Sequence, residues 1–316
     1  MKPLIPLVLG AVLAAGAQAD LATDWARNQK TAVSKWQDRT TAFVAEMNRV
    51  CDARPEARIP AEHRRALLPA WYDLVEAWGV VASQEPAAID ELGFGYRVAF
   101  WPDSRGVVVR QMETHAVQRQ TGQFESLQIA GHGIQGLDWM LSRSQPDCRL
   151  MRDWADHYPG YVDQIESAMP ERMRLADQAV TLAANDLYAQ ASRLNQRLRE
   201  VMNEPGGRYR PFMGDVSETG QSVRFIRAGL SDLGARLVLF SERLPDDRMR
   251  APANEWRNTL VELADTLPDG WPEESDAAWD MIKRIRAANQ GVETWLKNDV
   301  ADAYSLLIGF NNQDGD

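Results

Sequence analysis

The chain has 316 residues, 45% apolar and 25% charged, with a formal net charge of −10, the balance of a folded protein rather than a disordered one. An acidic chain without clustered Lys and Arg gives phosphate backbones little to bind, so nucleic acid is not an expected partner.

The first residues, MKPLIPLVLGAVLAAGAQAD, place one lysine before an apolar run from Leu4 to Ala15 and end in the Ala17-Gln18-Ala19 pattern of a cleavage site. They are expected to form a secretory signal peptide over 1–19. The run is too short for a comfortable membrane span, and no cysteine follows to take a lipid. The mature protein is therefore expected to be soluble and periplasmic, with no membrane span after cleavage. Residues 20–316 exceed what one small core usually organises, which predicts two domains, 20–203 and 204–316.

Helical periodicity dominates this length. Leu21, Trp25, Ala32, Trp36, Phe43, Met47 and Val50 recur on one face of a first long helix. A second starts near Ala61, with Pro69 as a potential kink. Residues 84–107 contain Pro86, Gly93, Gly95, Pro102 and Gly106 and read as a structured loop. Helices are predicted over 108–119, 124–143, 146–167 and 171–202. The strongest breaker cluster, NEPGGRYRPFMGD at 203–215, ends this series. Beyond it, helices are predicted over 217–244, 252–266, 273–288 and 290–308. Alternating, β-branched runs are nearly absent, so the fold class is all-α, built as two packed helical bundles. Eight of the eleven tryptophans (Trp25, Trp36, Trp71, Trp78, Trp154, Trp256, Trp279 and Trp295) fall in helical stripes, which favours bundle core over an aromatic ligand cage.

The two cysteines, Cys51 and Cys148, pair naturally in an oxidising compartment; the alternative is two separate buried thiols. A bridge would close a loop valued at about 4 to 5 kcal/mol by chain entropy. The four histidines, His63, His115, His132 and His157, include no pair at the spacing of a common zinc peptidase. The serine hydrolase elbow, the phosphate loop and the dinucleotide fingerprint are also missing.

Two segments carry unusual chemistry. GFGYRVAFWPDSRGVVVRQM, 93–112, sets Arg97, Asp103, Arg105 and Arg110 among Tyr96, Phe100 and Trp101, with Asp103 suited to cap a turn or pair with an arginine. In IAGHGIQGLDWMLSRSQPDC, 129–148, Gln135, Asp138 and Ser142 share a helical stripe beside the apolar Ile134, Leu137 and Leu141. Spacing alone makes that stripe the polar edge of a buried helix.

Taken together, FWPDSRGVVVRQM at 100–112, IAGHGIQGLDWMLSRSQPDCRLM at 129–151 and the terminal GFNNQDGD at 309–316 resemble the imelysin-like family of exported bacterial proteins. The resemblance implies two helical bundles with a functional site where they meet. The family takes its name from an insulin-cleaving protease and includes proteins associated with iron regulation. Its hallmark of glycine, histidine and glutamate falls on Gly133, Gln135 and Asp138, so the imidazole has become an amide and the acid is one methylene shorter. An amide oxygen is a weak, hard ligand, better suited to calcium or magnesium than to the transition metal of a peptidase.

The resulting expectation is a non-catalytic ligand- or metal-binding component linked to iron uptake. Its pocket would be marked by Gln135 and Asp138 and walled by Arg97, Trp101, Asp103 and Arg110, with a divalent or ferric ion as the candidate cofactor. The alternatives are a metal-dependent peptidase with a variant site and a structural partner in an envelope complex. His132 is a further ligand candidate; on a continuous helix it would point about 240° away from Asp138, but Gly131 and Gly133 make the backbone irregular there. His115, beside Glu113 and Glu125, is another, and the acidic terminus could add oxygen atoms to the same pocket.

Overall fold

The tryptophan stripe of the first predicted helix builds the longest element, α1 (Ile5–Asp52), on which Trp25, Trp36, Phe43 and Met47 are fully buried. The computed structural model describes residues 5–52, 58–121, 128–244 and 247–309. Glu125 and the terminal motif from Phe310 onward lie outside them. Among the described residues the chain is all-α, with no strand and no helix long and apolar enough to cross a membrane.

Helix α2 (Ala61–Gln84) runs unbroken through Pro69 and packs against α1. The predicted loop that follows contains two short helices, α3 (Ala87–Glu91) and α4 (Gly95–Val98), then an extended strap through Ala99 to Pro102 and α5 (Val107–Thr121). Asp103 takes the capping role open to it, accepting the backbone N–H groups of Val107 at 2.7 Å and Val108 at 2.8 Å.

The helix predicted over 124–143 is interrupted. Its described part is α6 (Ile129–His132) and α7 (Ile134–Ser142), separated by an extended Gly133. A Cβ on Gly133 would stand 3.2 Å from the carbonyl oxygen of Val98, so the residue lets the strap approach closely. The helix predicted over 146–167 also divides, into α8 (Cys148–Ala155) and α9 (Tyr158–Ala168), because Pro159 fits only a first turn.

Helix α10 (Ala179–Val201) starts eight residues later than predicted, after a short turn at Ala176–Gln178. α11 (Ser222–Glu242) starts later as well, for a reason found at the site below. After α12 (Arg250–Thr266), the two predicted helices at the C-terminal end fuse into α13 (Ser275–Trp295), which widens into a π turn at Leu296–Val300 before α14 (Ala301–Tyr304).

The buried apolar residues of both halves form one connected cluster, because α2 packs on α1 and on α11, while α10 touches α2, α11 and α13. The tryptophans supply much of it. Trp36 meets Trp78 at 5.1 Å and Tyr158 at 5.9 Å, and Trp154 stacks on Tyr158 at 4.7 Å. Cys51 and Cys148 are bonded, with Cα atoms 5.6 Å apart, and tie the end of α1 to the start of α8.

Candidate functional site

Helix α7 sends Ile134, Leu137, Met140 and Leu141 into the core and leaves Gln135 and Asp138 on the adjoining stripe. That stripe faces the 213–221 segment between α10 and α11, where Val216 (φ 46°) and Gly220 (φ 75°) adopt left-handed backbone. Asp138 is 1% exposed. One of its carboxylate oxygens accepts the N–H of Glu218 at 2.8 Å; the other accepts the N–H of Thr219 at 3.0 Å and its hydroxyl at 2.5 Å. These bonds hold 217–219 as a turn, which delays α11 to Ser222.

Gln135 binds in two directions. Its oxygen accepts the N–H of Phe100 at 2.9 Å, and its amide nitrogen donates to Asp215 at 3.2 Å. Asp215 is also buried and receives Arg197 Nε at 3.0 Å. The Arg197 guanidinium lies 4.8 Å from the Trp101 ring and 5.1 Å from that of Phe225, while the Trp101 indole donates to the Met213 carbonyl at 3.0 Å. The strap, α7, α10 and the 213–221 segment are thereby joined through one polar chain.

One turn earlier on α10, Arg193 donates to the carbonyls of Ser83 at 2.9 Å and Gln84 at 2.6 Å and pairs with Glu85 at 3.1 Å. Cationic groups thus meet the negative end of α2.

Trp101 and the strap border two cavities. The larger, about 360 Å³, lies between the end of α2, α3, α4 and α10, and is lined by Trp78, Tyr96, Trp101, Pro102, Gln196 and Arg197 among others. The smaller, about 100 Å³, contains Gln135 and Asp138 together with Trp101, Asp103 and Phe212. Two of the predicted wall residues, Trp101 and Asp103, are therefore brought to the Gln135–Asp138 pair.

The other predicted members stand elsewhere. Arg97 is exposed and lies 5.7 Å from the Tyr161 ring, because α4 turns that side chain toward α9. Arg110 is exposed on α5 and donates to the carbonyl of Arg105. His132 belongs to a different cluster, stacked on His157 at 4.3 Å with Nδ1 3.2 Å from the Tyr161 hydroxyl. His115 accepts the Gln128 N–H through Nε2 at 3.0 Å, and burial lowers its pKa.

Asp215, Arg197 and Thr219 carry the site although the sequence did not mark them. Asp215 closes the breaker cluster at 203–215, the one local signal; its partner Gln135 is 80 residues away.

Burial pushes the Asp138 carboxyl up to about 7, against the lowering effect of its three hydrogen bonds. Burial also raises Asp215, opposed by Arg197 and Gln135. Neither arrangement fits a metal ion. The Gln135 oxygen is turned to a peptide N–H, the Asp138 oxygens to two N–H groups and a hydroxyl, and Asp215 is neutralised by a guanidinium. Among the described residues, no group of three His, Cys, Asp or Glu side chains is placed to hold one.

The family described as Peptidase_M75: Imelysin matches residues 22–296. Among solved structures, the chain is similar to an imelysin-like protein from Psychrobacter arcticum 273-4, with a TM-score of 0.74 and 15% identity over 94% of this chain and 98% of that one. At that identity the likeness shows the fold alone. No curated protein matches.

Proposed function

The chain belongs to the imelysin family, and on that premise we propose that it is a non-catalytic ligand-binding protein of the cell envelope, holding a small organic ligand in the 360 Å³ cavity beside Trp101. The observation that carries this reading is the polar chain Phe100–Gln135–Asp215–Arg197, which fixes walls of that cavity through the residue at the family's hallmark position. The volume falls in the usual range for small-molecule sites, and the lining supplies the rings of Trp78, Tyr96 and Trp101 with polar groups at Gln196 and Arg197. Peptidase chemistry by a metal-activated water finds no donor set among the described residues. An uptake role agrees with a binding protein, and iron would enter this cavity as a chelate rather than as a bare ion on Gln135 and Asp138. The envelope location rests on the leader-like first residues and on the Cys51–Cys148 bond.

Gln196 is exposed at the cavity mouth, so Gln196→Trp should obstruct entry without disturbing the core. Native mass spectrometry of the mature protein isolated from periplasm should show a small-molecule adduct that this variant lacks. A wild type without an adduct would count against the reading. Chelator-sensitive cleavage of casein, lost in Asp138→Ala, would replace it with the peptidase.

A second reading, docking of an envelope partner, is favoured by Tyr96 and Phe212, 67% and 61% exposed at the rims of the two cavities. The division into bundles at 203/204 belongs to the same proposal. The breaker segment is exposed over 203–206, and limited proteolysis should cut there first; first cleavage inside a long helix would remove that division.

A further inference from the structure

Between the start of α12 and the end of α13 lies a groove of about 650 Å³, whose lining includes Arg248, Glu255, Trp256, Thr294, Trp295 and Asp299. It shares no lining residue with either cavity beside Trp101. Its central wall is Trp256, a half-buried indole whose benzenoid end rests on the backbone of α13 at Gly291. A Cβ at position 291 would fall 2.2 Å from that ring, so only glycine seats the indole there. The predicted break near residue 290 is therefore occupied by a ring seat rather than by a loop. One turn further, Trp295 closes the floor, and the helix then widens into the π turn that carries Asp299, a local irregularity often found at functional sites.

The lining chemistry restricts the ligand. Glu255, Thr294 and Asp299 are exposed and offer oxygen acceptors, while Arg248 offers donors and stands 5.9 Å from the Tyr304 ring. A simple cation would meet the guanidinium, and a simple anion would meet two carboxylates. A neutral ligand rich in hydroxyl groups uses both kinds of partner and presents C–H faces to an indole. We propose that this groove is a carbohydrate-binding site, with Trp256 as the stacking wall and Glu255, Thr294 and Asp299 as the hydroxyl-binding groups. The site is independent of the ligand assigned to the cavity beside Trp101.

The test is nuclear magnetic resonance of the full mature chain, following the tryptophan indole N–H signals during titration with chitotriose, cellotriose and maltotriose, with tetramethylammonium as the cationic probe. At least one saccharide should shift the Trp256 signal in a saturable way. Trp256→Ala, followed through the indole signal of Trp295 in the same groove, should weaken that binding roughly tenfold. Gly291→Ala should weaken it similarly by displacing the ring, while Gln196→Trp should leave it unchanged. The proposal fails if no saccharide saturates, if Trp256→Ala leaves the affinity unchanged, or if tetramethylammonium binds at this signal and the sugars do not. Because Gly291→Ala also strains a helix contact, Glu255→Ala with Asp299→Ala, both exposed, provides a surface variant that must weaken sugar binding while leaving the melting temperature unchanged.

Discussion

Asp138 on α7 and Asp215 within the 213–221 segment are both buried, yet the fold satisfies them differently. Asp138 is met by two peptide N–H groups and one hydroxyl, with no cation against it among the described residues. Asp215 is met by the Arg197 guanidinium and the Gln135 amide. The first carboxyl acts as a cap whose protonation is governed by burial, and the second as half of an ion pair that fixes a cavity wall. A buried acid at a family hallmark position can thus hold the chain together without holding a metal, and the two acids should respond differently when disturbed.

The largest effect is expected at the ion pair. Arg197→Met leaves Asp215 buried without its cation and should cost about 3 to 5 kcal/mol in urea unfolding. A loss near zero would mean that Asp215 is solvated, removing its contrast with Asp138. Next is Asp138→Ala, which strands three donors of Glu218 and Thr219 and should cost about 2 to 3 kcal/mol.

The comparison is sharpened by pH. The Asp138 carboxyl sits at about 7 in the folded protein against a usual 3.8, so the folded state holds the proton more tightly than the unfolded one. Its contribution is complete below about pH 4 and is lost as pH rises through about 7. The difference in urea midpoint between wild type and Asp138→Asn should therefore shift against the wild type across that window. A flat difference would show that the three donors keep the carboxylate ionised.

The smallest effect belongs to the hallmark position itself. Gln135→His should cost less than about 1 kcal/mol, since one ring nitrogen can accept from Phe100 and the other donate to Asp215, whereas Gln135→Leu should cost about 1 to 2 kcal/mol by orphaning both. Equal losses in the two variants would deny Gln135 its bridging role.

The helices were legible because their apolar spacing is local. The stripe of Trp25, Trp36, Phe43 and Met47 on α1 is buried as its period predicts, and the two cysteines form their bond. The irregular backbone expected at Gly131 and Gly133 is found as a break at Gly133, whereas the apolar periodicity carried no sign of the break at His157 or of the strap that presses on Gly133. Gln135 and Asp138 could be singled out from their stripe and from the family resemblance. Arg197 could not, since its role depends on Asp215 and Trp101, brought together only by the packing of α10 against the strap and the 213–221 segment. Arg97 and Arg110 were grouped with Trp101 by nearness in sequence, and the turns around α4 and α5 send them outward.

The most direct test concerns whether Gln135 and Asp138 bind the chain to itself or bind an ion. Purified mature protein would be incubated with ferric, zinc or calcium ions, freed of excess ion, and its metal content measured beside that of Gln135→Leu and Asp138→Ala. The bonding pattern predicts only traces of metal, equal in all three proteins. One equivalent per chain in the wild type, lost in both variants, would contradict it.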